Sequence, residues 1–263
     1  MSIRDSILII GSNSFAGSNF CDYLLDKKMH VIGVSRSKEI NQIFLKYKNS
    51  KNYKKNFTFF KIDINKDKDI TKLIKIIKLK KIKYIINFAS QGMVAESWLK
   101  PWDWYNTNIV SFSKLINKLN DVKIKKFLNF STPEVYGNTV KKVKENNFFN
   151  PTTPYAISRS AQDLNLRAYF KNFKFPVVFT RTANIFGPHQ QLYRIVPITI
   201  IKAIQNKKIN LHGSGKSVRS FIFMDDVSEI LFKILIDKNN IGQTYHISTK
   251  KFISIKELVL KIL

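Results

Sequence analysis

The chain has 263 residues, of which 44% are hydrophobic and 13% aromatic, and this composition excludes a disordered protein. The single cysteine, Cys21, excludes an internal disulfide, and the sequence holds no apolar run of about 20 residues, so we expect a cytoplasmic protein without membrane association. The net charge of +27 suggests nucleic-acid binding, but the lysines are scattered and no zinc-ligand or aromatic RNA-binding motif accompanies them, so no specific nucleic acid is expected.

The first segment of the chain has the pattern of a dinucleotide-binding turn. Residues 6–10 are apolar and predict a buried strand, Gly11-Ser-Asn-Ser-Phe-Ala-Gly17 follows, and a helical pattern covers 14–27. Gly11 permits a tight turn and Gly17 permits close packing of the helix on the strand, while Ser14 stands where a middle glycine often occurs. The backbone N–H groups at the start of this helix are suited to a pyrophosphate. A plain glycine turn is the alternative.

The end of the second predicted strand, over 30–34, bears on the choice of cofactor. An acidic residue there would bind the ribose hydroxyls of NAD, whereas Ser35 and Arg36 suit the 2′-phosphate of NADP. The pattern therefore favours NADP, with NAD left open, and the alternative for Arg36 is an ordinary surface residue.

Two further strands are predicted over 57–62 and 84–88. Asp63 and Ile64 end the first of them, near where an adenine would lie, and the small residues Ala89 and Ser90 after Phe88 would let a cofactor approach the backbone. The tract 97–108 holds all three tryptophans and is interpreted as a packed loop that leads into a helix over 105–119.

The strongest pattern in the sequence lies between residues 126 and 159. An apolar run over 126–130 ends in hydroxyl groups and a carboxylate, among them Thr132 and Glu134, as expected of a buried parallel strand that opens into a crevice. Tyr155 and Arg159 then share one helix face, with Thr153 as the predicted N-cap. The nearby cation and the helix dipole favour an ionised phenol. The alternative is an ordinary strand end and a tyrosine packed in the core.

Strands and helices alternate up to a sixth strand over 176–180, which predicts an α/β fold of Rossmann type with a doubly wound parallel sheet over residues 1–183. From Asn184 the elements are shorter, with strands predicted over 208–211, 218–222 and 243–247. We expect residues 184–263 to form a smaller α/β substrate lobe in which Arg194 and Arg219 clamp a diphosphate.

These motifs resemble those of the extended short-chain dehydrogenase/reductases, the NAD-dependent epimerase/dehydratase family, and most of all its dTDP-glucose and GDP-mannose 4,6-dehydratases. The resemblance implies that Tyr155 removes the proton of the sugar 4-hydroxyl, that Thr132 binds the same hydroxyl and that Glu134 removes the C5 proton. It also implies diphosphate contacts from Asn184 and Arg219 and a homodimer built from paired helices. The cofactor contacts expected for NAD(P) are Gly11, Ser14, Phe15, Gly17, Ser35, Arg36, Asp63, Ile64, Phe88, Ala89, Ser90, Tyr155 and Arg159.

Three departures from the family pattern are visible. Arg159 stands where the family has a lysine, and an arginine keeps the charge but cannot relay a proton. Pro133 stands where the dTDP-glucose enzymes have the aspartic acid that protonates the leaving hydroxyl. Family members also continue for several dozen residues beyond the position of Leu263, so part of the substrate lobe is expected to be missing.

The sequence therefore favours a nucleotide-sugar 4,6-dehydratase that forms a 4-keto-6-deoxy sugar. Glu134 favours this reaction because epimerisation needs no C5 base, whereas Pro133 favours a 4-epimerase; a decarboxylase is a further alternative. The non-enzymatic alternative is a catalytically inactive relative that binds cofactor or RNA.

Overall fold

A seven-stranded parallel β-sheet is the centre of the computed structural model, which describes residues 5–139 and 142–263. The strands are β1 (Ser6–Ile10), β2 (His30–Ser35), β3 (Phe57–Lys61), β4 (Tyr84–Asn87), β5 (Lys126–Ser131), β6 (Val177–Thr182), β7 (Asn184–Phe186), β8 (Val218–Arg219), β9 (Phe221–Phe223), β10 (Thr244–Ile247) and β11 (Ile253–Ser254). The helices are α1 (Phe15–Asp26), α2 (Tyr53–Asn56), α3 (Asp67–Leu79), α4 (Pro101–Tyr105), α5 (Phe112–Asn120), α6 (Pro154–Phe173), α7 (Ile195–Ile204), α8 (Met224–Ile236) and α9 (Ile255–Ile262).

The strand order of the large sheet is β10-β6-β5-β4-β1-β2-β3, and every neighbouring pair is parallel. The chain winds one way from β1 to β3 and the other way from β4 to β6. The crevice between β1 and β4 is therefore the topological switch point, where a doubly wound sheet binds its ligands at the carboxyl ends of the strands. The predicted Rossmann-type fold is confirmed.

Alternation along the strands supplies a separate core on each face of the sheet. In β1, Ile7 and Ile9 pack with α1 and α8, whereas Leu8 and Ile10 pack with α3 and α5. All four side chains are at most 1% exposed. The sequence of such a strand is a continuous apolar run because both of its faces are covered.

The helix predicted over 105–119 begins earlier, because Pro101 occupies the first turn of α4. Residues 106–111 between α4 and α5 form a π-helical segment. The interpretation of the tryptophan tract as a packed loop holds for Trp104, which is 5% exposed, but is wrong for Trp98 and Trp102, which are 62% and 63% exposed.

Residues 184–263 contribute to two parts of the molecule. Strand β10 pairs with β6 in the large sheet, and α8 packs on α1 in the core. The remaining elements include two small sheets, β7 with β9 and β8 with β11. No strand forms over 208–211, contrary to the sequence-based prediction. A boundary at 183/184 remains our proposal along the chain, although in space β10 and α8 belong with the large sheet.

A buried lysine ties this later part of the chain to β5. Lys126 is 3% exposed, and its Nζ donates hydrogen bonds to the carbonyl oxygens of Ile234 (2.9 Å) and Asp237 and to Oδ1 of Asn240 (2.6 Å). Because carbonyl groups at a helix end lack intrahelical partners, the ammonium group serves as a cap for the C-terminus of α8. Within the described ranges, no helix is both long and apolar enough to span a membrane.

Candidate active site

A cavity of about 280 Å³ lies at the switch point, at the carboxyl ends of β1, β2, β3 and β4. Nine of the predicted cofactor residues line it: Gly11, Ser14, Ser35, Arg36, Asp63, Ile64, Phe88, Ala89 and Ser90. The predicted cofactor residues thus meet at one place, although they come from four separate stretches of the chain.

The glycine turn at the edge of this cavity is held in shape by its own side chains. Gly11 has φ +89°, and a Cβ there would lie 2.7 Å from the backbone N of Ala89, so only glycine lets β1 and β4 approach so closely. The Ser14 hydroxyl donates to Gly11 O (2.7 Å) and accepts from Gly17 N–H (3.0 Å), which makes it the N-cap of α1. Ser14 lines the cavity, so α1 begins at its edge, where the positive end of the helix dipole suits a pyrophosphate.

The end of β2 forms the wall of this cavity that faces the glycine turn. The Ser35 hydroxyl accepts the N–H of Asn13 (2.9 Å), so it helps to fix the glycine turn. Arg36 is exposed, and its Nη1 reaches across the cavity to Oε1 of Gln91 (3.3 Å). The residues present therefore fit a dinucleotide, with one guanidinium group on the side where the adenosine ribose would lie.

Four predicted cofactor contacts, Phe15, Gly17, Tyr155 and Arg159, are not among the residues that line this cavity. Phe15 is 6% exposed and packs in the core. Gly17 has a packing role, since a Cβ there would lie 2.2 Å from Gly11 O. Contacts of these residues with a cofactor remain predictions.

A second cavity of about 870 Å³ opens beside the carboxyl end of β5, and Glu134 lies on its wall. Glu134 belongs to the 3₁₀ turn Pro133–Tyr136, whose N-cap is Thr132: the threonine Oγ1 accepts the N–H of Glu134 (3.3 Å). The turn ends at Gly137 with φ +68°, where a Cβ would lie 2.0 Å from Asn150 O. Thr132 is 8% exposed and does not line the cavity.

Basic and polar side chains surround Glu134 in this second cavity. The predicted ligands Asn184 and Arg219 line it, together with Lys142 and Lys250, which the sequence did not single out. Arg194 does not line it; it is exposed at the start of α7, with its guanidinium carbon 5.3 Å from the Tyr193 ring. The cavity thus combines one carboxylate with several cations, which suits a substrate that carries a diphosphate.

Tyr155 lies in the first turn of α6, as predicted. Thr153 is the N-cap, with its Oγ1 accepting the N–H of Ala156 (3.1 Å), and Pro154 is the first helical residue. The N–H of Tyr155 is donated to the hydroxyl of Ser97 (3.2 Å), which in turn donates to Val94 O (2.6 Å). The loop after β4 therefore helps to position the tyrosine.

Arg159, in the position of the family lysine, is 2% exposed and faces inward. Its Nη2 donates to the carbonyl oxygen of Phe130 in β5, and its Nε has no partner among the described residues. The guanidinium group therefore lies beneath the carboxyl end of β5.

A buried polar chain runs under the same strand ends. Asn87 donates to Asn129 (3.0 Å), Asn129 donates to Asp163 (3.0 Å), and Asp163 also accepts from Ser131 (3.0 Å) and from Nε of Arg181 (3.4 Å). All five residues are at most 3% exposed. Buried polar groups that are joined in this way fix a unique geometry, because removing one partner leaves the other without its hydrogen bond.

Asn108 is the main site residue that sequence reasoning missed. Its Oδ1 accepts the N–H of Gln91 (2.7 Å), and its Nδ2 donates to Gln91 O (3.0 Å) and to Ser158 Oγ (2.9 Å). Ser158 Oγ in turn donates to Tyr155 O (2.7 Å). One fully buried amide thus joins the loop at the first cavity to the turn that carries Tyr155. The signal in the sequence was a polar residue on the apolar face of an amphipathic helix.

Comparisons with known proteins agree with this geometry. The model of the NAD dependent epimerase/dehydratase family matches residues 7–248. The human dTDP-D-glucose 4,6-dehydratase is 30% identical over 258 residues, which is 98% of this chain and 73% of that protein. Two solved structures share 26% identity and cover 98% of this chain. UDP-glucuronic acid 4-epimerase from Bacillus cereus, in complex with UDP-glucuronic acid and NAD, has a TM-score of 0.85 with 82% of its chain covered. dTDP-glucose 4,6-dehydratase from Bacillus anthracis, in complex with NAD, has a TM-score of 0.84 with 79% covered.

Proposed function

Because this chain belongs to the NAD dependent epimerase/dehydratase family, we propose that it is a nucleotide-sugar 4,6-dehydratase. The observation that carries the proposal is the position of Glu134, on a capped turn at the end of β5, in the same cavity as Asn184 and Arg219. A carboxylate there is placed to take a proton from a sugar whose diphosphate is held by the basic residues. The dehydratase relatives with 30% identity support the same reaction.

In the proposed reaction, Tyr155 takes the proton of the sugar 4-hydroxyl while Thr132 binds the same oxygen. The residues of the first cavity would hold NAD(P), which would supply the acceptor of the C4 hydride and the donor of the hydride to C6. Glu134 takes the C5 proton, which the new 4-ketone makes acidic, and the C6–O bond breaks; Glu134 then returns a proton to C5 as the hydride adds to C6. The leaving hydroxyl needs a proton from water or another group, since Pro133 has none to give.

Arg159 would act in this scheme as a buried positive charge. It cannot exchange a proton at neutral pH. Its bond to Phe130 O holds it under the strand that leads to Thr132 and Glu134, so it would stabilise negative charge in the site through space.

NAD is the cofactor bound in both solved relatives. We propose that this chain also accepts NADP, because Arg36 stands at the end of β2 and lines the cavity. Among the residues that the structure describes, the side chain of Arg36 makes one hydrogen bond, to Gln91, from which it can turn toward a 2′-phosphate.

We also propose a homodimer and a cytoplasmic location. Helix α6 has an exposed apolar stripe, with Ile157 42% and Leu164 50% exposed, and Val110 beside it is 49% exposed. The neighbouring helices α5 and α6 pack together, so their outer faces form one continuous surface of the kind that a second copy covers. The location is supported by the single buried cysteine.

A 4-epimerase is the second candidate, favoured by Pro133 and by the likeness to the epimerase structure. Mass spectrometry separates the two after incubation with dTDP-glucose, GDP-mannose, UDP-glucose and UDP-N-acetylglucosamine and either cofactor. A product lighter by one water supports the dehydratase, whereas an unchanged mass with a new 4-epimer on chromatography replaces it with the epimerase. Absence of any conversion would contradict both.

Two variants then test the residue roles. Glu134→Gln keeps the shape of the side chain without its basicity, so cofactor reduction should survive while loss of water stops. Tyr155→Phe should bind cofactor but fail to reduce it. Wild-type turnover in either variant would remove that residue from the mechanism.

A further inference from the structure

The turn that carries Glu134 is anchored by a cluster at its far end, centred on Tyr136. Tyr136 is 6% exposed, and its hydroxyl lies 2.8 Å from Nε2 of His246 in β10. Nη1 of Arg181 in β6 donates to the same hydroxyl and to Asn146 O (2.7 Å). Glu134 and His246 line the same cavity, so this anchor is part of its wall.

Hydrogen-bond capacity decides which way the proton between Tyr136 and His246 lies. A phenol oxygen has one proton and two acceptor positions. Arg181 Nη1 and the N–H of Asn146 (3.3 Å) occupy the two acceptor positions. The proton of Tyr136 has two acceptors within reach, His246 Nε2 at 2.8 Å and Asn146 O at 3.4 Å. Because the shorter contact is the stronger hydrogen bond, the proton is donated to His246 Nε2, which is an acceptor only while that nitrogen is unprotonated.

The other ring nitrogen of His246 faces the segment around Glu145. Nδ1 lies 3.9 Å from Oε1 of Glu145, and the backbone of Val143 raises the pKa of the ring. The neutral imidazole thus carries its proton on Nδ1. The backbone N–H of His246 also donates to Glu145 Oε1 (2.8 Å), so the segment 143–146 is joined to β10 at several points.

The titratable and charged groups that face His246 act in opposite directions. Burial has the largest effect and lowers the pKa of His246; Glu145 raises this pKa, and Arg181 lowers it. A second proton would bring an Nε2–H donor against a hydroxyl that already accepts two donors, beside a buried guanidinium. That arrangement cannot keep all three bonds at Tyr136, so protonation would release the anchor.

We propose that His246 is a positioning residue for Glu134: by accepting the Tyr136 proton it holds the turn 133–136 in place, and it releases this turn when it becomes doubly protonated. The inference rests on the proposed function for its catalytic consequence, while the anchoring itself is independent of the reaction. Elimination of water should accordingly be lost at acidic pH before the protein unfolds.

Hydrogen exchange of the purified full chain tests the anchor without any substrate. Protection of the N–H groups in residues 133–139 and 142–150, corrected for the intrinsic pH dependence of exchange, should fall about ten-fold between about pH 7.5 and about pH 4.5. In His246→Gln the amide oxygen can still accept from Tyr136 but cannot titrate, so this fall should disappear. His30→Gln, at an exposed position on β2, is the matched control and should behave like the wild type.

Tyr136→Phe removes the shared hydroxyl and should leave residues 133–139 and 142–150 poorly protected at every pH. Equal protection in the wild type across the pH series, the same fall in His246→Gln, or normal protection in Tyr136→Phe would each overturn the proposal. A sugar nucleotide that is turned over adds a second readout: kcat of the wild type should fall on the acid side relative to His246→Gln, with KM unchanged. If nothing is turned over, the proposed function fails while the exchange experiment still decides the inference.

Discussion

Replacing Asn108 with alanine removes the link between the cofactor cavity and the turn of Tyr155. The variant loses three hydrogen bonds of 2.7, 3.0 and 2.9 Å at a residue that is fully buried. Each bond contributes about 1 kcal/mol net, and the backbone of Gln91 is partly open to water, so we expect a loss of about 2–4 kcal/mol of unfolding free energy. With an unfolding entropy of about 2.1 cal/mol/K per residue over 263 residues, this corresponds to a fall in Tm of about 4–7 °C.

Differential scanning calorimetry measures this loss, and a double-mutant cycle localises it. Asn108→Ala, Ser158→Ala and the double variant should show a coupling of about 0.5–1.5 kcal/mol, because Nδ2 of Asn108 donates to Ser158 Oγ. The exposed Asn106 lies in the same π-helical segment, so Asn106→Ala is the matched control and should change Tm by less than about 1 °C.

The catalytic effect should exceed the effect on folding. Once the tether is lost, Tyr155 and the loop at Gln91 move independently, and misplacement by about 1 Å can cost a factor of about 100 in rate. We expect kcat to fall about 10- to 100-fold at temperatures where the variant is folded. Additive effects in the cycle, or an Asn108→Ala enzyme that matches Asn106→Ala in Tm and kcat, would refute the tether.

Three further perturbations test other features. Arg36→Ala should weaken NADP binding about 10- to 100-fold, because it removes a charge-assisted hydrogen bond, and should weaken NAD binding less than about three-fold. Isothermal titration calorimetry measures both affinities, and equal losses of affinity for NADP and NAD would refute a contact between Arg36 and the 2′-phosphate. Burial raises the pKa of Asp22 from 3.8 to about 6, so its ionisation opposes folding and stability falls as pH rises between these values. The advantage of Asp22→Asn over the wild type should grow by about 1 kcal/mol from about pH 5 to about pH 7.5, and a constant difference in urea melts would contradict this. Lys126→Met leaves carbonyl groups at the end of α8 without their donor and should cost about 2–4 kcal/mol, while the exposed neighbour Lys125→Met should be neutral; similar melts for both would refute the cap.

Local patterns were sufficient to predict the cofactor end of the fold. The strands β1, β2 and β4 are apolar runs because both faces of the sheet are covered. The residues that end or follow these strands are small or polar, such as Gly11, Ser35 and Asn87, because they face a crevice. The cap of α6 by Thr153 followed from nearest-neighbour chemistry alone. Such features depend on residues that are close in sequence, and they were placed within one or two positions.

Features that depend on distant residues were not predicted. Sequence reasoning assigned no role to Asn108, because its partners Gln91 and Ser158 are 17 and 50 positions away. His246 is 110 residues from Tyr136, and nothing in the sequence around His246 signals a partner in the turn after β5. Trp98 and Trp102 were expected to be covered because large aromatic residues usually are, but the 3₁₀ turn of Trp98 and the helix α4 of Trp102 leave both side chains more than 60% exposed.

The pairing of β10 with β6, and the packing of α8 on α1, have a consequence for the order in which the chain folds. The first core-forming helix ends at residue 26, yet the helix that covers it begins at residue 224. At a synthesis rate of about 5–20 residues per second, the apolar face of α1 is exposed on the ribosome for roughly 10–40 s. Contacts this far apart in sequence also slow folding. A nascent chain that stops before residue 247 would therefore be a client for chaperones, and release from them should coincide with the arrival of β10.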